Sequence, residues 1–214
     1  MTSVRSDYHD LVRRDVFELV PRSGGVLLDI GGGVGATAAA LKAEGYARRV
    51  GVVDLVTADE LAEGVDFALT GDLDRPDFLD TLYQSEGPFD TILCLDVLEH
   101  LKDPWSLVAR LHECLAPGGS IVASIPNVRN FQVIVPLVFR GRFTLVDSGI
   151  LDRTHLRWFV RDSAIELMTS SGLMLENMID KPKSGRKVAL FDFLTLRLFR
   201  RFTEIQYLIR VVRR

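Results

Sequence analysis

Two groups of residues in this chain carry backbone or side-chain groups suited to chemistry. The first is a run of glycines that follows an apolar stretch, VLLDIGGGVGA at residues 26–36. Such a loop lets a ligand approach the backbone closely and offers free N–H groups where a helix begins. The second is DRTHLRWF at residues 152–159, where charged, imidazole and aromatic side chains are crowded together. An imidazole beside a carboxylate is suited to removing a proton from a hydroxyl group.

The glycine run fits two kinds of cofactor site. Gly31, Gly33 and Ala36 satisfy the G-x-G-x-x-G/A pattern of dinucleotide-binding proteins. Asp29, two residues before the first glycine, and Gly35 extend this to D-x-G-x-G-x-G. The longer pattern resembles the first motif of the class I S-adenosylmethionine-dependent methyltransferases. An NAD(P)-dependent oxidoreductase, which rests on the shorter pattern and an acid after the second strand, is the alternative.

The resemblance to that methyltransferase family extends over residues 26–125. An acid at the end of the second strand, which in the family holds the ribose hydroxyls, corresponds to the last residue of VGVVD. GDL resembles the adenine site, FDTILCLDVLEHL the fourth-strand motif and LAPGGSI the fifth. The resemblance implies that S-adenosylmethionine is the cofactor and that these residues surround it: Asp29, Gly31, Gly33, Gly35, Asp54, Leu55, Asp72, Leu73, Leu95 and Asp96.

Apolar runs of strand length alternate with helical periodicity after the first 25 residues, which is typical of βαβ units on a parallel sheet. Together with the resemblance, this predicts an α/β fold: a Rossmann-like, doubly wound, seven-stranded, mostly parallel sheet with an antiparallel last strand. The predicted strands are Val26–Ile30, Arg49–Asp54, Phe67–Thr70, Thr91–Asp96, Ser120–Ile125, Leu173–Ile179 and Ile205–Val212. The predicted helices are Tyr8–Val20, Gly35–Glu44, Ala58–Glu63, Pro76–Gln84, Pro104–Leu115, Ser163 to just before Gly172, and Ala189–Phe202.

The length of the chain predicts one domain, residues 1–214, in four parts. Residues 1–25 hold an N-terminal helix, and residues 26–126 form the cofactor-binding half. Residues 127–162 are expected to be an acceptor-binding insertion, because a doubly wound sheet opens its ligand crevice at the carboxyl ends of its strands. Residues 163–214 supply the C-terminal helices and the last two strands.

The insertion holds the first candidate for a catalytic base, His155, with Asp152 as its partner. We expect His155 at the carboxyl edge of the sheet, within reach of the acceptor, rather than buried under the insertion. His100, after the fourth strand, is the second candidate. The alternative is that His155 and Asp152 only fix the insertion through hydrogen bonds.

The motifs also narrow the methyl acceptor. The fourth strand carries LDVL instead of the N/D-P-P-Y/F of amide and adenine N-methyltransferases, and no Pro-Cys nucleophile follows it. A hydroxyl acceptor, methylated by direct in-line transfer, fits best. Residues 152–159 are similar to a segment of small-molecule methyltransferases from saccharide and glycolipid pathways, so a sugar or glycolipid hydroxyl is expected. A non-catalytic subunit with the same fold is a further alternative.

Charge is distributed unevenly along the chain. Residues 181–214 hold ten Lys or Arg and two acids, so they carry +8, and the rest carries −11 for a net charge of −3. An acidic body argues against nucleic acid as a partner. The basic segment is either solvated or in peripheral contact with a membrane. Only two cysteines occur, so no metal site is expected. A cytoplasmic protein is expected, and the oligomeric state is left open.

Overall fold

The computed structural model describes residues 11–55, 61–75, 77–182 and 198–214. Seven strands form one sheet in the order β3-β2-β1-β4-β5-β7-β6. Neighbours from β3 to β5 pair in parallel, whereas β7 runs antiparallel to both β5 and β6. The strands are β1 Val26–Ile30, β2 Arg49–Asp54, β3 Phe67–Thr70, β4 Phe89–Leu95, β5 Leu115–Pro126, β6 Met174–Pro182 and β7 Glu204–Val212. The predicted fold class is confirmed.

Helices connect the strands and cover the sheet. They are α1 Ala36–Ala43, α2 Phe78–Glu86, α3 Pro104–Cys114, α4 Phe131–Arg140, α5 Arg161–Thr169 and α6 Arg200–Thr203. Two short 3-10 helices, Arg14–Leu19 and Leu98–His100, lie before β1 and after β4. Among the helices in the described ranges, none combines the length and apolarity that a bilayer crossing requires.

The central strands are buried on both faces, which explains why they read as continuous apolar runs. Successive side chains of a strand point to opposite faces, so Leu28 and Ile30 join one core cluster and Leu27 joins the other. The first cluster includes α3 and α5, and the second includes α1 and the 3-10 helix before β1. The sheet therefore forms a rigid floor for the loops at its carboxyl edge.

The turn from β1 into α1 needs glycine for a steric reason. Gly35 has φ +83°, and a Cβ there would lie 2.7 Å from the Cγ2 atoms of Val52 and Val65. A left-handed backbone and this contact exclude larger residues without displacement of the neighbours. The turn thus brings the start of α1 close against β2, and the glycine loop lies between them.

Several predicted boundaries are corrected by the structure. The predicted bounds of β1, β2 and β3 are confirmed. The strands β4 to β7 are longer than predicted, although β4 ends one residue before the predicted Asp96 and β6 begins one residue after the predicted Leu173, because apolar patterning does not mark where backbone pairing stops. The described part of the predicted helix Tyr8–Val20 is the short 3-10 helix. The prediction Ala58–Glu63 is wrong where it can be tested, since residues 61–63 are not helical. Most of Ala189–Phe202 lies outside the described residues, and its described end contains only α6.

The insertion after β5 is fastened to the sheet at both of its ends. Asn127 forms a β-bridge with Phe159, and the Val128 N–H donates to the Phe159 carbonyl at 3.0 Å. The amide side chain of Asn127 donates to the Glu204 carbonyl at 2.9 Å. The two ends of the insertion are therefore held together at the carboxyl end of β5 and the amino end of β7.

Candidate functional site

A cavity of about 190 Å³ opens at the carboxyl edge of the sheet. The glycine loop forms one wall, and Asp29 of β1 reaches into it from below. Leu95 and Asp96, from the end of β4, line it together with Arg13 from the N-terminal segment. The structure thus brings together residues from three separate stretches of the chain in the crevice that the topology predicts.

The glycine loop is tied to the acid at the end of β2. The Gly33 N–H donates to Oδ2 of Asp54 at 2.7 Å, and the Leu55 N–H donates to Oδ1 at 2.6 Å. A carboxylate oxygen accepts more than one hydrogen bond, so both oxygens of Asp54 can still accept a ligand hydroxyl. A Cβ at Gly31 would lie 2.4 Å from Cγ2 of Val97, so this loop has room for backbone alone. These features fit a nucleoside-bearing cofactor with a ribose diol.

Asp29 is buried beneath the loop with an unusual protonation equilibrium. Burial, followed by the charge of Asp54, raises the pKa of Asp29 to about 7. Its Oδ1 atom has no hydrogen-bond partner within the described residues. A Cβ at Gly32 would lie 2.5 Å from its carboxyl carbon, so the loop lies directly on the acid. A cationic group in the cavity would favour the ionised form of Asp29.

Arg13 is a lining residue that the sequence did not reveal. Its guanidinium pairs with Asp96 and with Asp15, and it also donates to the side-chain oxygen of Gln206 at 3.2 Å. Burial alone would lower the pKa of Arg13, but the hydrogen bonds and charges of Asp15 and Asp96 raise it above its usual value. Arg13 lies outside the sequence motifs. Its place in the cavity depends on the fold, which brings the N-terminal segment over β4.

The remaining cofactor candidates lie further out. Leu55 is exposed next to the loop. Asp72 and Leu73 line a second groove, together with Lys102 and Asp103, rather than the first cavity. The structure therefore groups Asp29, Gly31, Gly33, Leu95 and Asp96 around one space, whereas Gly35 lies outside its lining and Asp54 is joined to it through Gly33. It leaves Asp72 and Leu73 beside that space.

A carboxylate and two imidazoles converge beside the cavity. Glu99 lies in the 3-10 helix after β4, followed by His100, and His155 reaches them from the insertion. The two imidazole rings are 4.6 Å apart between centroids, and Nε2 of His155 lies 3.9 Å from Oε1 of Glu99. One ligand-type atom from each of the three residues lies within 4.8 Å of the other two. We call these three residues the histidine–glutamate cluster.

The backbone around the cluster holds it in place. The carbonyl of Glu99 accepts hydrogen bonds from the Leu156 N–H at 2.8 Å and the Arg157 N–H at 3.0 Å. Asp152 accepts from the backbone N–H and the hydroxyl of Thr154, at 2.8 and 2.7 Å. Asp152 therefore shapes the turn before His155: its carbonyl accepts the His155 N–H at 3.0 Å, while its carboxylate bonds Thr154 instead of the His155 imidazole.

The expected location of His155 is partly wrong. Its side chain lies beside the carboxyl end of β4, but it is only 7% exposed and sits under the insertion. Burial, followed by the charge of His100, lowers the pKa of His155. Burial, followed by the charge of Asp96, raises the pKa of Glu99 well above its usual range. Asp96 therefore lines the cavity and also lies close enough to Glu99 of the cluster to affect its pKa.

Glu99 was missed by the sequence-based prediction. It lies within the fourth-strand motif, one residue before His100, so its position was available. Its burial could not be predicted from the sequence, because a charged residue after a strand is ordinarily solvated. The segment of the insertion that covers it, residues 150–157, is more than fifty positions away in the chain.

The chain matches a family model described as a methyltransferase domain over residues 4–177. A ubiquinone biosynthesis O-methyltransferase of Xylella fastidiosa is 28% identical over 190 residues, which span 82% of this chain and 72% of that protein. A protein of the same name from Xanthomonas oryzae is 27% identical over 171 residues, spanning 72% and 68%.

Solved structures share the fold at low sequence identity. An S-adenosylmethionine-dependent methyltransferase of Archaeoglobus fulgidus superimposes with a TM-score of 0.62 at 18% identity, over 98% of this chain and 94% of that one. The N-methyltransferase NodS of Bradyrhizobium japonicum, in complex with S-adenosyl-L-homocysteine, gives 0.59 at 17% identity, over 97% and 86%. The second structure carries the demethylated form of the cofactor that the sequence motifs imply.

Proposed function

Because the chain belongs to this methyltransferase-domain family and has the class I fold, it is an enzyme that uses S-adenosylmethionine, and we propose that its methyl acceptor is a hydroxyl group on a small molecule. Family membership decides against the NAD(P)-dependent alternative and against a subunit without catalytic activity. The observation that carries the proposal is the histidine–glutamate cluster beside the cavity, which offers groups for handling a hydroxyl proton.

Different residues at the cavity are suited to bind different parts of the cofactor. Asp54 is suited to the ribose hydroxyls, and the cavity beside the glycine loop offers space for the adenosyl group. The guanidinium of Arg13 suits the carboxylate at the amino-acid end of the cofactor. S-adenosylmethionine supplies an electrophilic methyl group on a sulfonium. Transfer then forms an oxygen–carbon bond as the carbon–sulfur bond breaks, and alignment of these atoms supplies up to about 7–11 kcal/mol of the acceleration.

The cluster is proposed to receive the acceptor oxygen. The imidazole of His155 lies near Asp96, which lines the cofactor cavity, so a hydroxyl bound at the cluster would lie near the cofactor as well. His155 and then His100 are the groups that assist loss of the hydroxyl proton, and Asp152 positions them through Thr154. We expect His155→Ala to lower the transfer rate by about 10²–10⁴-fold while cofactor affinity stays nearly unchanged.

The acceptor we favour has an aromatic hydroxyl on an otherwise apolar molecule. The curated relatives are named for ubiquinone biosynthesis. In the insertion, Phe143 and Trp158 are in edge-to-face contact with centroids 5.6 Å apart, and both are about two-fifths exposed. An exposed aromatic pair suits a flat apolar ligand. A saccharide or glycolipid hydroxyl, favoured by the resemblance of residues 152–159, is the second candidate.

Transfer of a labelled methyl group tests this proposal. The enzyme is incubated with labelled S-adenosylmethionine and a panel of an alkylated phenol, a free saccharide, a glycolipid and an amine of similar size. We expect a methyl ether of the phenol as the main product, identified by mass and by NMR. Methylation of the amine alone would overturn O-methylation, and a methyl ether on the saccharide or glycolipid would replace the phenol by the second candidate.

Peripheral membrane contact is proposed as the setting of this reaction. Val138 and Phe139 of α4 are 66% and 79% exposed, and Leu198 is 78% exposed. Arg140, Arg200 and Arg201 follow these residues closely in the chain. Apolar side chains beside basic ones are the combination that anionic lipid surfaces bind. An apolar acceptor dissolved in a membrane would then be delivered to the insertion.

A further inference from the structure

We propose that the histidine–glutamate cluster is a binding site for a divalent transition-metal cation, which would hold and acidify the acceptor hydroxyl. The inference rests on the proposed function for the role of the cation, whereas binding itself is independent of it. Glu99, His100 and His155 each present one ligand-type atom, all within 4.8 Å of one another. Two of the three residues, Glu99 and His155, are buried.

The hydrogen bonds of the two rings define which nitrogen is free. Nδ1 of His155 contacts the carbonyl oxygen of Ile150 at 3.1 Å. Because a carbonyl only accepts, Nδ1 carries the hydrogen and Nε2 carries a lone pair. Nδ1 of His100 lies 3.0 Å from the Thr154 hydroxyl, which itself donates to Asp152, so this hydroxyl accepts and Nδ1 of His100 also carries the hydrogen. Metal-ligating histidines are commonly oriented by a hydrogen bond of this kind from the other ring nitrogen.

The carboxylate of Glu99 lacks the partners that a buried acid needs. Glu99 is 1% exposed, and neither of its oxygens has a hydrogen-bond partner in the part of the chain that the structure describes. Its closest approach to His155, 3.9 Å, exceeds the length of a hydrogen bond. An unpaired buried carboxyl group costs free energy, and a cation would remove that cost. The lone pair of His155 Nε2 therefore lies beside a buried carboxyl group that has no hydrogen-bond partner among the described residues.

The donor set indicates the class of cation. Imidazole nitrogen suits zinc, iron, nickel and copper, while magnesium and calcium prefer oxygen ligands. Two histidines with one glutamate also leave a coordination position open, as in catalytic zinc sites. Zinc bonds of about 2.0–2.1 Å require the three ligand atoms to close in by roughly 1 Å, within the reach of side-chain rotation. The proposal differs from the sequence-based expectation that no metal takes part.

The open position gives the cation a chemical role. A hydroxyl oxygen bound there becomes more acidic, since a zinc-bound water loses its proton near pH 7. The proton would leave to solvent, and the oxygen would bond to the methyl carbon as the carbon–sulfur bond of the cofactor breaks. Under this proposal His155 and His100 act as ligands of the cation, and Asp152 orients His100 through Thr154.

Direct binding of Zn²⁺ and Co²⁺ to the full chain tests the site. Metal is first removed with a chelator, and Zn²⁺ binding is measured by calorimetry while Co²⁺ is followed through its visible absorption. We expect one ion per chain and the intense bands of a low-coordinate Co²⁺ site. Glu99→Gln and His155→Ala should each weaken binding at least 100-fold, and the bands should disappear. Glu99→Gln keeps the shape of the buried acid, so thermal unfolding should show a folded protein.

A matched control and a second measurement separate this proposal from the proposed function. His112, in α3, contacts the Ser171 carbonyl through Nδ1 at 2.9 Å and lies outside the cluster, so His112→Ala should bind Zn²⁺ like the parent. Absence of stoichiometric binding, or equal loss in His112→Ala, would overturn the cation site. Methyl transfer that continues after metal removal would leave O-methylation intact and assign His155 as a direct base. Binding of Zn²⁺ without transfer to any hydroxyl would instead leave the site and overturn the proposed function.

Discussion

Asp54 has two tasks in the cofactor site. It accepts a hydrogen bond from the Gly33 N–H of the glycine loop, and we propose that its carboxylate also accepts the ribose hydroxyls. The loop is therefore shaped before the cofactor arrives. A carboxylate that is already fixed loses little side-chain freedom when a ligand binds, which favours affinity.

Replacing Asp54 should weaken cofactor binding without unfolding the protein. A hydrogen bond to a charged group contributes about 1.5–3 kcal/mol, so Asp54→Asn should lower S-adenosylmethionine affinity about tenfold or more. Calorimetry measures the change. Asp66→Asn is the control, because Asp66 accepts the Val50 N–H at 2.8 Å near the opposite end of β2. Equal affinities of the parent and Asp54→Asn would place the ribose elsewhere.

Asp29 should make the stability of the cofactor-free enzyme depend on pH. Its pKa of about 7 in the folded state lies above the 3.8 of a solvated Asp. The folded protein therefore holds a proton that the unfolded chain releases, and stability from this group falls as pH rises from about 4 to about 7. Denaturant unfolding of the parent and Asp29→Asn at several pH values should show the parent losing its relative advantage over this window. A difference independent of pH would mean that Asp29 is ionised throughout.

For single residues, the sequence-based prediction agrees with the structure where a residue's contacts are with neighbours close in the chain. The acid two residues before the first glycine and the acid at the end of β2 are recognisable because strand and loop fix them. Arg13 and Glu99 are not, since their importance depends on contacts with Gln206 and with His155, which are distant in the chain. Sequence spacing carries no information about such long-range contacts.

At the level of elements, the most consequential feature is the position of β7. It lies between β5 and β6 and pairs with both in antiparallel orientation. Its carboxyl-terminal half contributes Ile209 and Val211 to one core cluster, and Leu208 belongs to the other. Although it is the last strand of the sheet in sequence, β7 is structurally interior.

Damage to β7 should therefore abolish folding. A chain that ends after Arg186 leaves one side of β5 and all of β6 without partners, and we expect it to be insoluble. Ile209→Asp is a milder probe, since a buried unpaired charge is strongly destabilising. Ile209→Val, the control, should cost only about 0.5–1.5 kcal/mol by denaturant unfolding. A soluble, cofactor-binding truncated chain would show that β7 is dispensable.

Helix boundaries were harder to predict than helices themselves. The helix predicted to begin at Ser163 begins at Arg161 instead, and the Ser163 hydroxyl accepts the Val160 N–H at 3.0 Å from within the first turn. Helix α4 was not predicted because Pro136 lies inside it. Proline removes one helical hydrogen bond but still permits a helix whose other turns are supported.

In the whole molecule, the acidic residues, the basic residues and the exposed apolar side chains lie in different parts of the chain. The acidic body contains the cofactor site, while residues 181–214 carry the positive charge and α4 exposes apolar side chains. The basic segment was visible in the sequence. The exposed face of α4 was not, because exposure depends on which side of the helix faces the body.

Anionic vesicles should bind the protein through the exposed apolar residues. We expect sedimentation with phosphatidylglycerol vesicles that weakens as salt increases, since charge attraction is screened. The double variant Val138→Ser, Phe139→Ser should lose most of this binding. Leu175→Ser, at an exposed position of β6, is the control and should bind like the parent. Equal sedimentation of both variants would argue against contact through α4.

The interior position of β7 also bears on how the chain is made. The described sheet gives β6 a single neighbour, β7, and β7 follows it in sequence. A chain emerging from the ribosome therefore presents β5 with one edge unpaired and β6 with nowhere to dock until β7 is synthesised. Exposed strand edges are sites of aggregation, so this half of the nascent chain depends on protection by chaperones or on rapid completion. The last strand translated must enter between two that are already present, so assembly of the sheet does not follow the order of synthesis.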